Sequence, residues 1–419
     1  MFFIILHYFS VYVKTIAIKI VDYFEKKVYT NNQYKIKLLC SFFERTTDMA
    51  IITDKLPSTI DEILKAYDLD GKMTDWQMIH AGHINRTYVI TLEGGEKRLL
   101  QMINIHVFKK PVELMDNAIR VTDHLRKKIA EAGGDPTRET LSVFYTKDGK
   151  SCFVDSNGEY WRFYNYVDNA FSYNSIENAE IFYTAGAAFG KFQSQLADFP
   201  GDTLYDTIPF FHDTYKRFLN LREAAEKNAS GRKENVLAEL EFAFAREADT
   251  RVIVDLIAKG EIPVRVTHND TKLNNIMFDK DTNEAVCIVD LDTVMPGSAL
   301  YDFGDAIRFG ASTAAEDEKD LSKVSMDINL YEKYVRGYLS TAGESLNETE
   351  INYLPFSAKL LTLECGMRFL ADYLDGDVYF GTAYPEHNLD RCRTQFKLVA
   401  DMESKMDEMM RVTQEAYGK

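Results

Sequence analysis

The sequence is poor in cysteine and has fewer basic than acidic residues, and both shortages narrow the possible functions. Its five cysteines are an odd number, lie far apart and form no C-x-x-C pair. Disulfide frameworks and zinc sites are therefore unexpected, and the pattern fits a reducing cytoplasm. The 49 basic residues are outnumbered by 65 acidic ones, which gives a net charge of −16. We expect no nucleic-acid partner, since such binding needs basic surfaces that displace counterions.

Several signatures of nucleotide and metal enzymes are also missing. The chain contains neither a G-x-G-x-x-G dinucleotide fingerprint nor an H-E-x-x-H zinc motif. The segment Gly186–Phe192 resembles a P-loop superficially, but its glycines are too close and no Ser or Thr follows Lys191. It also lies inside a helical pattern, so we interpret it as part of a helix.

Long apolar runs are scarce, and only the first 48 residues contain one that approaches membrane-spanning length. The run Phe2–Val21 is interrupted by Lys14 and Lys19, whereas a spanning helix needs about 20 residues with few charges. A signal peptide would need its positive charge before the apolar run and a small-residue cleavage site after it. We expect residues 1–48 to be a dispensable extension rather than a membrane anchor, with Met49 as an alternative start.

The rest of the chain has ample apolar material, since 46% of all residues are hydrophobic, and its patterning changes near residue 168. Residues 49–168 alternate short strands with tight turns around one long helix, and residues 169–419 are mostly helical. We predict an α+β fold of two lobes, like that of protein kinases, with a nucleotide-binding lobe at 49–168 and a catalytic lobe at 169–419. The predicted strands are Thr87–Leu92, Arg98–Ile103, Leu141–Tyr145, Ser151–Val154 and Tyr160–Tyr166. The predicted helices are Pro111–Ala132, Ala179–Leu196, Thr214–Asn228, Lys233–Lys259, Asp327–Leu339, Glu348–Leu374 and Leu389–Thr413.

The most informative motif has the pattern H-x-D-x-x-x-x-N and starts at His268. In kinase chemistry the Asp of such a loop accepts the proton of the attacking hydroxyl, and the Asn holds a magnesium ion. Asp270 is the predicted base and Asn275 a predicted Mg²⁺ ligand. Lys272 is a predicted catalytic residue, because its ammonium group could offset charge on the γ-phosphate of ATP. We assign His268 a structural hydrogen-bonding role.

A second motif is an apolar strand that ends in carboxylates, Ala285–Asp292. Mg²⁺ prefers oxygen ligands and usually takes one or two protein carboxylates together with phosphate oxygens. Asp290 is the predicted second Mg²⁺ ligand, and Asp292 is the less favoured alternative. Asp302 and Asp305 follow closely, and we assign them a structural role. Asp270 alone could be a turn residue and Asn275 a helix cap, but the joint order of His, Asp, Lys, Asn, apolar strand and Asp favours the functional interpretation.

The small-lobe residues that would contact ATP are marked more weakly. Gly82, Asn85 and Thr87 lie between the first strands, where backbone N–H groups could cover phosphates, although an ordinary turn fits a single glycine equally well. Tyr164 and Tyr166 end the last strand and could offer backbone hydrogen bonds to adenine, or simply be core aromatics.

The third-strand lysine with which protein kinases hold the α- and β-phosphates has no counterpart inside Arg98–Ile103. Lys97 or Arg98 could serve from the edge of that strand, or another group could take the role.

With these residues in place, the chain resembles the aminoglycoside phosphotransferase and choline kinase superfamily and, within it, the N-acetylhexosamine 1-kinases. The resemblance covers nearly all of Met49–Lys419 and is most specific in the strings His268–Asn275, Ile288–Asp305 and Arg368–Phe380. It implies ATP-dependent phosphorylation of the anomeric hydroxyl of N-acetylglucosamine or N-acetylgalactosamine, with Mg²⁺, in the cytoplasm.

The resemblance also implies that Arg368 and Tyr379 contact the sugar. An arginine fork can pair with hydroxyls or an acetamide oxygen, and a tyrosine ring offers an apolar face with a hydroxyl. The alternatives are a surface ion pair for the arginine and a core position for the tyrosine.

Two other functions remain open at this stage. One is a kinase of another small alcohol, such as choline, homoserine or an aminoglycoside; a cationic substrate would call for an acidic or aromatic pocket. The other is a nucleotide-binding pseudokinase, which the retention of all the chemical residues disfavours. We expect a monomer whose partners are ATP and a small sugar.

Overall fold

The described part of the chain begins with an antiparallel sheet built from short strands and tight turns. The computed structural model describes residues 54–80 and 84–418. Its first elements are α1 (Ile60–Ala66), β1 (Met73–Ile79), β2 (Arg86–Leu92), β3 (Lys97–Ile103), α2 (Pro111–Glu131), β4 (Val143–Phe144), β5 (Phe153–Val154) and β6 (Tyr160–Asn165). The strand order is β1-β2-β3-β6-β4, with β5 also paired to β6, and every pair is antiparallel. Gly94 and Gly95 turn β2 into β3 with φ values of 90° and 88°, which favour glycine.

The remainder is mostly helical, with short strands placed between the helices. Its elements are β7 (Ala170–Phe171), α3 (Ala179–Gln195), α4 (Thr214–Lys227), α5 (Leu237–Phe244), α6 (Val252–Ala258), β8 (Arg265–Thr267), β9 (Ile276–Asp279), β10 (Ala285–Ile288), β11 (Met295–Gly297), α7 (Ala299–Gly310), α8 (Ile328–Ala342), α9 (Glu348–Asp375), α10 (His387–Ser404) and α11 (Met406–Tyr417). The strands form two small antiparallel sheets, β10-β9-β7 and β11-β8. The predicted α+β class is confirmed.

Helix α9 organises the helical part and connects it to the strand that leads into the site. It packs against α4, α7, α10 and α11. Its start is fixed by a capping box, in which Asn347 accepts from the Glu350 backbone N–H and the Glu350 carboxylate accepts from that of Asn347. The same buried carboxylate pairs with Arg265 on β8, with Nε 2.6 Å from Oε1. The helix start and β8 are therefore fixed together.

Helices α3 and α8 approach each other closely because glycines lie where they meet. A Cβ atom at Gly186 would come within 2.4 Å of Tyr334 O, and one at Gly337 within 2.1 Å of Tyr183 O. Backbone occupies the space that a side chain would need. The superficial P-loop at Gly186 lies within α3, as its helical pattern predicted, and its glycine allows the close packing against α8.

One long predicted helix, Lys233–Lys259, is wrong. The chain instead forms α5 and α6 with short 3-10 turns before and between them. Leu240 of α5 packs into the core beneath α4 and α9, whereas Ile253 and Leu256 of α6 pack into the core around α7 and α8. A straight helix could not bury both faces in different cores. The predicted helix Leu389–Thr413 is similarly divided into α10 and α11 at Lys405, whose Nζ donates to the Met326 carbonyl.

The remaining predictions about the chain's organisation are only partly accessible. The extension 1–48, the alternative start at Met49 and Gly82 lie outside the described residues. The chain leaves the large sheet after β6 and enters β7, which pairs with β9 of the helical part. The predicted boundary near residue 168 falls in this connection and stays a prediction. Across the described ranges, no helix combines the length and apolar character that crossing a membrane requires.

We predict that Gly337→Ala lowers the free energy of unfolding by about 1–3 kcal/mol, because the new methyl group would push α3 and α8 apart. Gly381→Ala is the matched control, since a Cβ there meets nothing within 4 Å. Chemical denaturation of both variants checks this expectation. Equal midpoints for Gly337→Ala and the wild type would contradict the packing argument.

Candidate active site

The loop that follows β8 carries the H-x-D motif and is held in place by its own histidine. His268 is fully buried, and its Nε2 donates to Val289 O at 2.9 Å. Its Nδ1 accepts from the backbone N–H of Asp270 at 3.3 Å. One ring nitrogen donates and the other accepts, so this arrangement uses the Nε2–H tautomer. His268 therefore has a structural role, in agreement with its assignment from sequence.

Two buried carboxylates of α7 anchor the backbone of the same loop. Asp302 accepts from the backbone N–H groups of His268, at 2.9 Å, and Asn269, at 2.7 Å. Asp305 accepts from the Thr271 N–H at 3.3 Å. Asn269 has a φ of 64°, a conformation that asparagine tolerates better than most residues. These contacts fix the backbone on both sides of Asp270 and therefore the direction of its side chain.

Asp270, Lys272 and Asn275 lie together on this loop. Lys272 Nζ is 2.7 Å from Asp270 Oδ1, and Asn275 Nδ2 donates to Asp270 Oδ2 at 3.0 Å. The Asn275 amide also donates to the Asp270 carbonyl at 2.8 Å. Its Oδ1 makes no hydrogen bond with any described residue, which leaves an oxygen free for a cation. One carboxylate oxygen of Asp270 is thus held by an ammonium group and the other by an amide.

Asp290 stands beside this group because β9 and β10 form an antiparallel pair. Asn275 directly precedes β9, Asp290 follows β10 by two residues, and Val289 N donates to Asn275 O at 2.9 Å. Asp290 has a φ of 60°, so the chain turns sharply there. The structure therefore brings Asp270, Asn275 and Asp290 to one place, as the motif spacing predicts.

The electrostatics at Asp290 favour a cation. Solvent reaches its side chain, yet protein surrounds it deeply enough that desolvation, followed by the charges of Asp292 and Asp270, raises its pKa to about 6. Within the described ranges its carboxylate makes no hydrogen bond or ion pair. Nor do those ranges hold a cluster of three His, Cys, Asp or Glu ligands. A bound Mg²⁺ would rest on Asp290 and Asn275 and complete its shell with phosphate and water oxygens, which suits this ion.

The small-lobe residues predicted to contact ATP have different surroundings. The Asn85 amide donates to Asp292 Oδ2 at 2.5 Å and accepts from the Asn104 N–H at 3.0 Å. The Thr87 hydroxyl, which is nearly buried, accepts from the Gln101 amide at 3.0 Å. Both side chains are engaged by protein, so only their backbones and the adjacent loop remain for a phosphate role.

The two predicted adenine contacts, Tyr164 in β6 and Tyr166 just after it, differ in exposure. Tyr164 is buried, and burial raises its pKa to about 12. Its ring lies 4.9 Å from the Arg162 guanidinium. Tyr166 is half-buried beneath the ammonium group of Lys97. The Tyr164 side chain is thus a core group, and an adenine role for either residue would have to use the backbone.

The predicted sugar contacts lie on α9 and on the loop after it. The Arg368 guanidinium sits between the Phe211 and Phe380 rings, 5.5 Å from each ring centre. Tyr379 is 67% exposed, so it is not a core tyrosine. No carboxylate lies within ion-pairing distance of Arg368 in the part of the chain described, so it is not in a surface ion pair either.

A second guanidinium lies near Arg368. Arg217 donates twice to the Phe211 carbonyl, at 3.1 and 2.8 Å. Burial, reinforced by the charge of Arg368, lowers its pKa. His212 follows Phe211 in sequence, and its Nε2 is 3.5 Å from the Asn269 carbonyl. The two arginines therefore lie close to the loop that follows β8, which we call the catalytic loop after its predicted role.

Sequence reasoning missed one buried His–Glu contact and one buried ion pair around the site. His212 Nδ1 is 2.8 Å from Glu364 Oε1, and both side chains are buried. Arg162 Nη1 is 2.6 Å from Asp292 Oδ1, with side-chain exposures of 1% and 2%. The one signal for Arg162 is a charge inside the otherwise aromatic and apolar strand β6. No local pattern links His212 to Glu364, which are 152 residues apart.

Comparison with known proteins shows the family to which the chain belongs. The model of the phosphotransferase enzyme family, APH, matches residues 75–346. That range includes the sheet, the catalytic loop, Asp290 and both anchoring carboxylates of α7. It ends before α9, so Arg368 and Tyr379 lie beyond it.

Solved structures share the fold at low sequence identity. An aminoglycoside phosphotransferase from Alicyclobacillus acidocaldarius is 13% identical, with a TM-score of 0.58 over 88% of this chain and 99% of its own. A spectinomycin phosphotransferase in complex with ADP and spectinomycin is 12% identical, with a TM-score of 0.52 over 85% and 100%. An amicoumacin kinase in complex with AMP-PNP, Ca²⁺ and its substrate is 13% identical, with a TM-score of 0.51 over 81% and 92%. At these identities the likeness concerns the fold.

We predict that Asp290→Asn stabilises the metal-free protein at pH 8. A carboxyl with a higher pKa in the folded protein than in the unfolded chain costs stability once it ionises. Removing that charge should raise the melting temperature in EDTA by about 1–3 °C, a small value because solvent reaches and screens the group. The gain should fade as the pH falls from about 6 towards the ordinary value of 3.8 and be lost below it, where Asp290 is protonated in both states.

Thermal unfolding across this pH range is the measurement, with the exposed Asp407→Asn as control. A variant that melts below the wild type at pH 8 would show that Asp290 stabilises the folded protein in some other way.

Proposed function

The chain belongs to the phosphotransferase enzyme family, and from that premise we propose that it phosphorylates the anomeric hydroxyl of an N-acetylhexosamine with ATP. That the chain is a phosphotransferase follows from the family match, and the shared fold supports a small molecule as its acceptor. The observation that carries the mechanism is the meeting of Asp270, Asn275 and Asp290 at the ends of β8, β9 and β10. A small sugar in the cytoplasm, where ATP is available, is the proposed acceptor.

Asp270 is the proposed base. As the sugar oxygen bonds to the γ-phosphorus and the bond to ADP breaks, the hydroxyl proton passes to the Asp270 carboxylate. The Asn275 amide on Oδ2 and the Lys272 ammonium on Oδ1 aim this carboxylate before the reaction. Lys272 would also offset charge on the transferred group.

Asn275 and Asp290 would hold the Mg²⁺ ion. When bound, the ion neutralises charge on the β- and γ-phosphates of ATP. The free Oδ1 of Asn275 and the unpaired carboxylate of Asp290 are the donors that support this assignment. The chain's own contribution is to fix both oxygens beside Asp270, so that little reorganisation is needed during transfer.

The acceptor side supports a neutral sugar over a cationic alcohol. Arg217 and Arg368 bring two positive charges close together, with the exposed Tyr379 nearby. A choline or aminoglycoside cation would be repelled there, whereas sugar hydroxyls and an acetamide oxygen accept hydrogen bonds from guanidinium groups. Two aromatic rings, each with its centre 5.5 Å from the Arg368 guanidinium, limit its freedom before binding.

We predict that Asp270→Asn lowers kcat by about 10²–10⁴-fold, the usual contribution of a positioned base. The KM for ATP and the melting temperature should stay close to wild type. ADP release coupled to a reporter enzyme measures the loss, with the exposed Asp407→Asn as control. Turnover within a fewfold of the wild type would remove Asp270 from the role of base.

We further predict that Arg368→Ala raises the KM for the sugar at least about tenfold without changing the KM for ATP, since one lost pairing corresponds to about 1.4 kcal/mol or more. Phosphorus NMR of the product identifies the anomeric phosphate, and a panel of N-acetylhexosamines, choline and an aminoglycoside ranks acceptors. The exposed Arg222→Ala, on α4, is the matched control. Preference for a cationic alcohol in this panel would refute the proposed substrate class.

A further inference from the structure

Five polar side chains form a closed circuit that runs across three strands and into the loop after β10. On the sheet, Gln101 donates to Thr87 at 3.0 Å and accepts from Arg162 at 3.1 and 2.9 Å. Arg162 then pairs with Asp292 at 2.6 Å, and Asp292 accepts from Asn85 at 2.5 Å. Asn85 precedes Thr87 by two residues, which closes the circuit. We call this set the Arg162 network.

The strand register places the sheet members side by side. Thr87 pairs with Gln101 across β2 and β3, and Gln101 pairs with Arg162 across β3 and β6. Directly opposed residues point to the same face, so their side chains form a ladder perpendicular to the strands. The ladder ends at Arg162, whose guanidinium also contacts Met115 of α2 at 3.5 Å. The guanidinium thus joins two strands and one helix to Asp292.

The central pair is almost completely withdrawn from water. Burial alone would lower the pKa of Arg162, but the Asp292 charge and its neighbours outweigh that effect and raise it. Burying an ion pair is costly, and replacing it by apolar groups is often neutral or stabilising. Stability is therefore a weak reason for this pair, and a positioning role explains its cost better.

Asp292 belongs to the segment that carries the proposed metal ligand. It lies two residues after Asp290, in the 3-10 turn Leu291–Thr293. Thr293 in turn donates to the His268 carbonyl at 2.6 Å, inside the catalytic loop. A displacement of Asp292 would therefore also displace Asp290 on one side and the catalytic loop on the other, because one short turn connects them.

We propose that Arg162 is a positioning residue that holds Asp292, and through it fixes Asp290 and the loop at Asn85 relative to the sheet. This inference rests on the proposed function, because it takes Asp290 as the metal ligand. In protein kinases a third-strand lysine holds the α- and β-phosphates of ATP. Here the third strand, β3, carries Gln101, which accepts from the Arg162 guanidinium and orients it. Asp292 pairs with that guanidinium and is in this proposal a structural residue, not a metal ligand.

The neighbouring basic residues have other contacts. The Arg98 guanidinium pairs with Glu96 and lies 4.4 Å from the Phe144 ring centre. Lys97 lies over Tyr166. Among the described residues, Arg162 is the cation that ion-pairs with the segment containing Asp290 and Asp292.

The test measures MgATP binding by calorimetry in the absence of any acceptor, for Arg162→Met, Arg162→Lys and Asp292→Asn. We expect Arg162→Met to weaken MgATP binding about 10–100-fold, the usual effect of losing a group that supports a metal ligand. The Mg²⁺ concentration needed for half-maximal activity should rise, while the KM for the acceptor should not. Arg162→Lys should recover part of the loss, because an ammonium group can still pair with Asp292. It cannot at the same time donate the two hydrogen bonds that Arg162 makes to Gln101.

Arg120→Met, on α2, is the matched control, since its guanidinium contacts Thr203 and Asp116 outside the network. Because Arg162→Met could fold poorly, Gln101→Met is the milder second variant and should weaken MgATP binding in the same direction. If both variants fold and bind MgATP as the wild type does, the positioning role is refuted. The same holds if Asp292→Asn and Asp290→Asn weaken MgATP binding equally, since Asp292 would then act as a ligand.

The two proposals fail in distinguishable ways. A wild-type protein that binds MgATP but phosphorylates no N-acetylhexosamine would refute the proposed substrate and leave the network testable. A wild-type protein that binds no MgATP would overturn both.

Discussion

The site depends on one interaction, the acceptance of two successive backbone N–H groups by the buried carboxylate of Asp302. His268 and Asn269 donate to its two oxygens, and Gln193 of α3 donates to one of them as well. A loop that must leave a strand and present Asp270 outwards cannot satisfy these N–H groups by secondary structure. A buried anion does so instead, and it fixes the loop to the most deeply packed helix of the site. The positions of Asp270, Lys272 and Asn275 all follow from that attachment.

A second constraint is the crowding of negative charge. Desolvation, followed by the charges of Asp292 and Asp270, raises the pKa of Asp290. The three acids differ in their charged partners. Lys272 pairs with Asp270, Arg162 pairs with Asp292, and the carboxylate of Asp290 has no partner among the described residues. The acid left without a cation is the one that we propose as the Mg²⁺ ligand, and the distribution of partners supports the proposed division of the three acids into ligand, base and structural support.

Local sequence predicted the parts of the site that lie within one loop or at one strand end. The spacing from His268 to Asn275 and the apolar strand before Asp290 were sufficient to predict that Asp270, Asn275 and Asp290 lie together. The positions of these side chains depend on residues that are close in sequence. Arg162 was not predictable in the same way, since its role depends on the register of β3 against β6 and on a segment 130 residues later. The same limit explains the wrong helix Lys233–Lys259: amphipathic spacing shows that a face is buried but not in which of two cores.

The distribution of charge also bears on what the site can bind. The chain as a whole carries −16, yet Arg217 and Arg368 form a local positive region without a carboxylate within ion-pairing distance among the described residues. Maintaining two guanidiniums so close costs energy, which the lowered pKa of Arg217 reflects after burial is taken into account. Arg217 is held by the Phe211 carbonyl, and Arg368 lies near the rings of Phe211 and Phe380, so neither side chain makes an ion pair among the described residues. Under the proposed function, this region would favour substrates that are rich in hydrogen-bond acceptors and carry no positive charge, the property that separates an N-acetylated sugar from an amino alcohol.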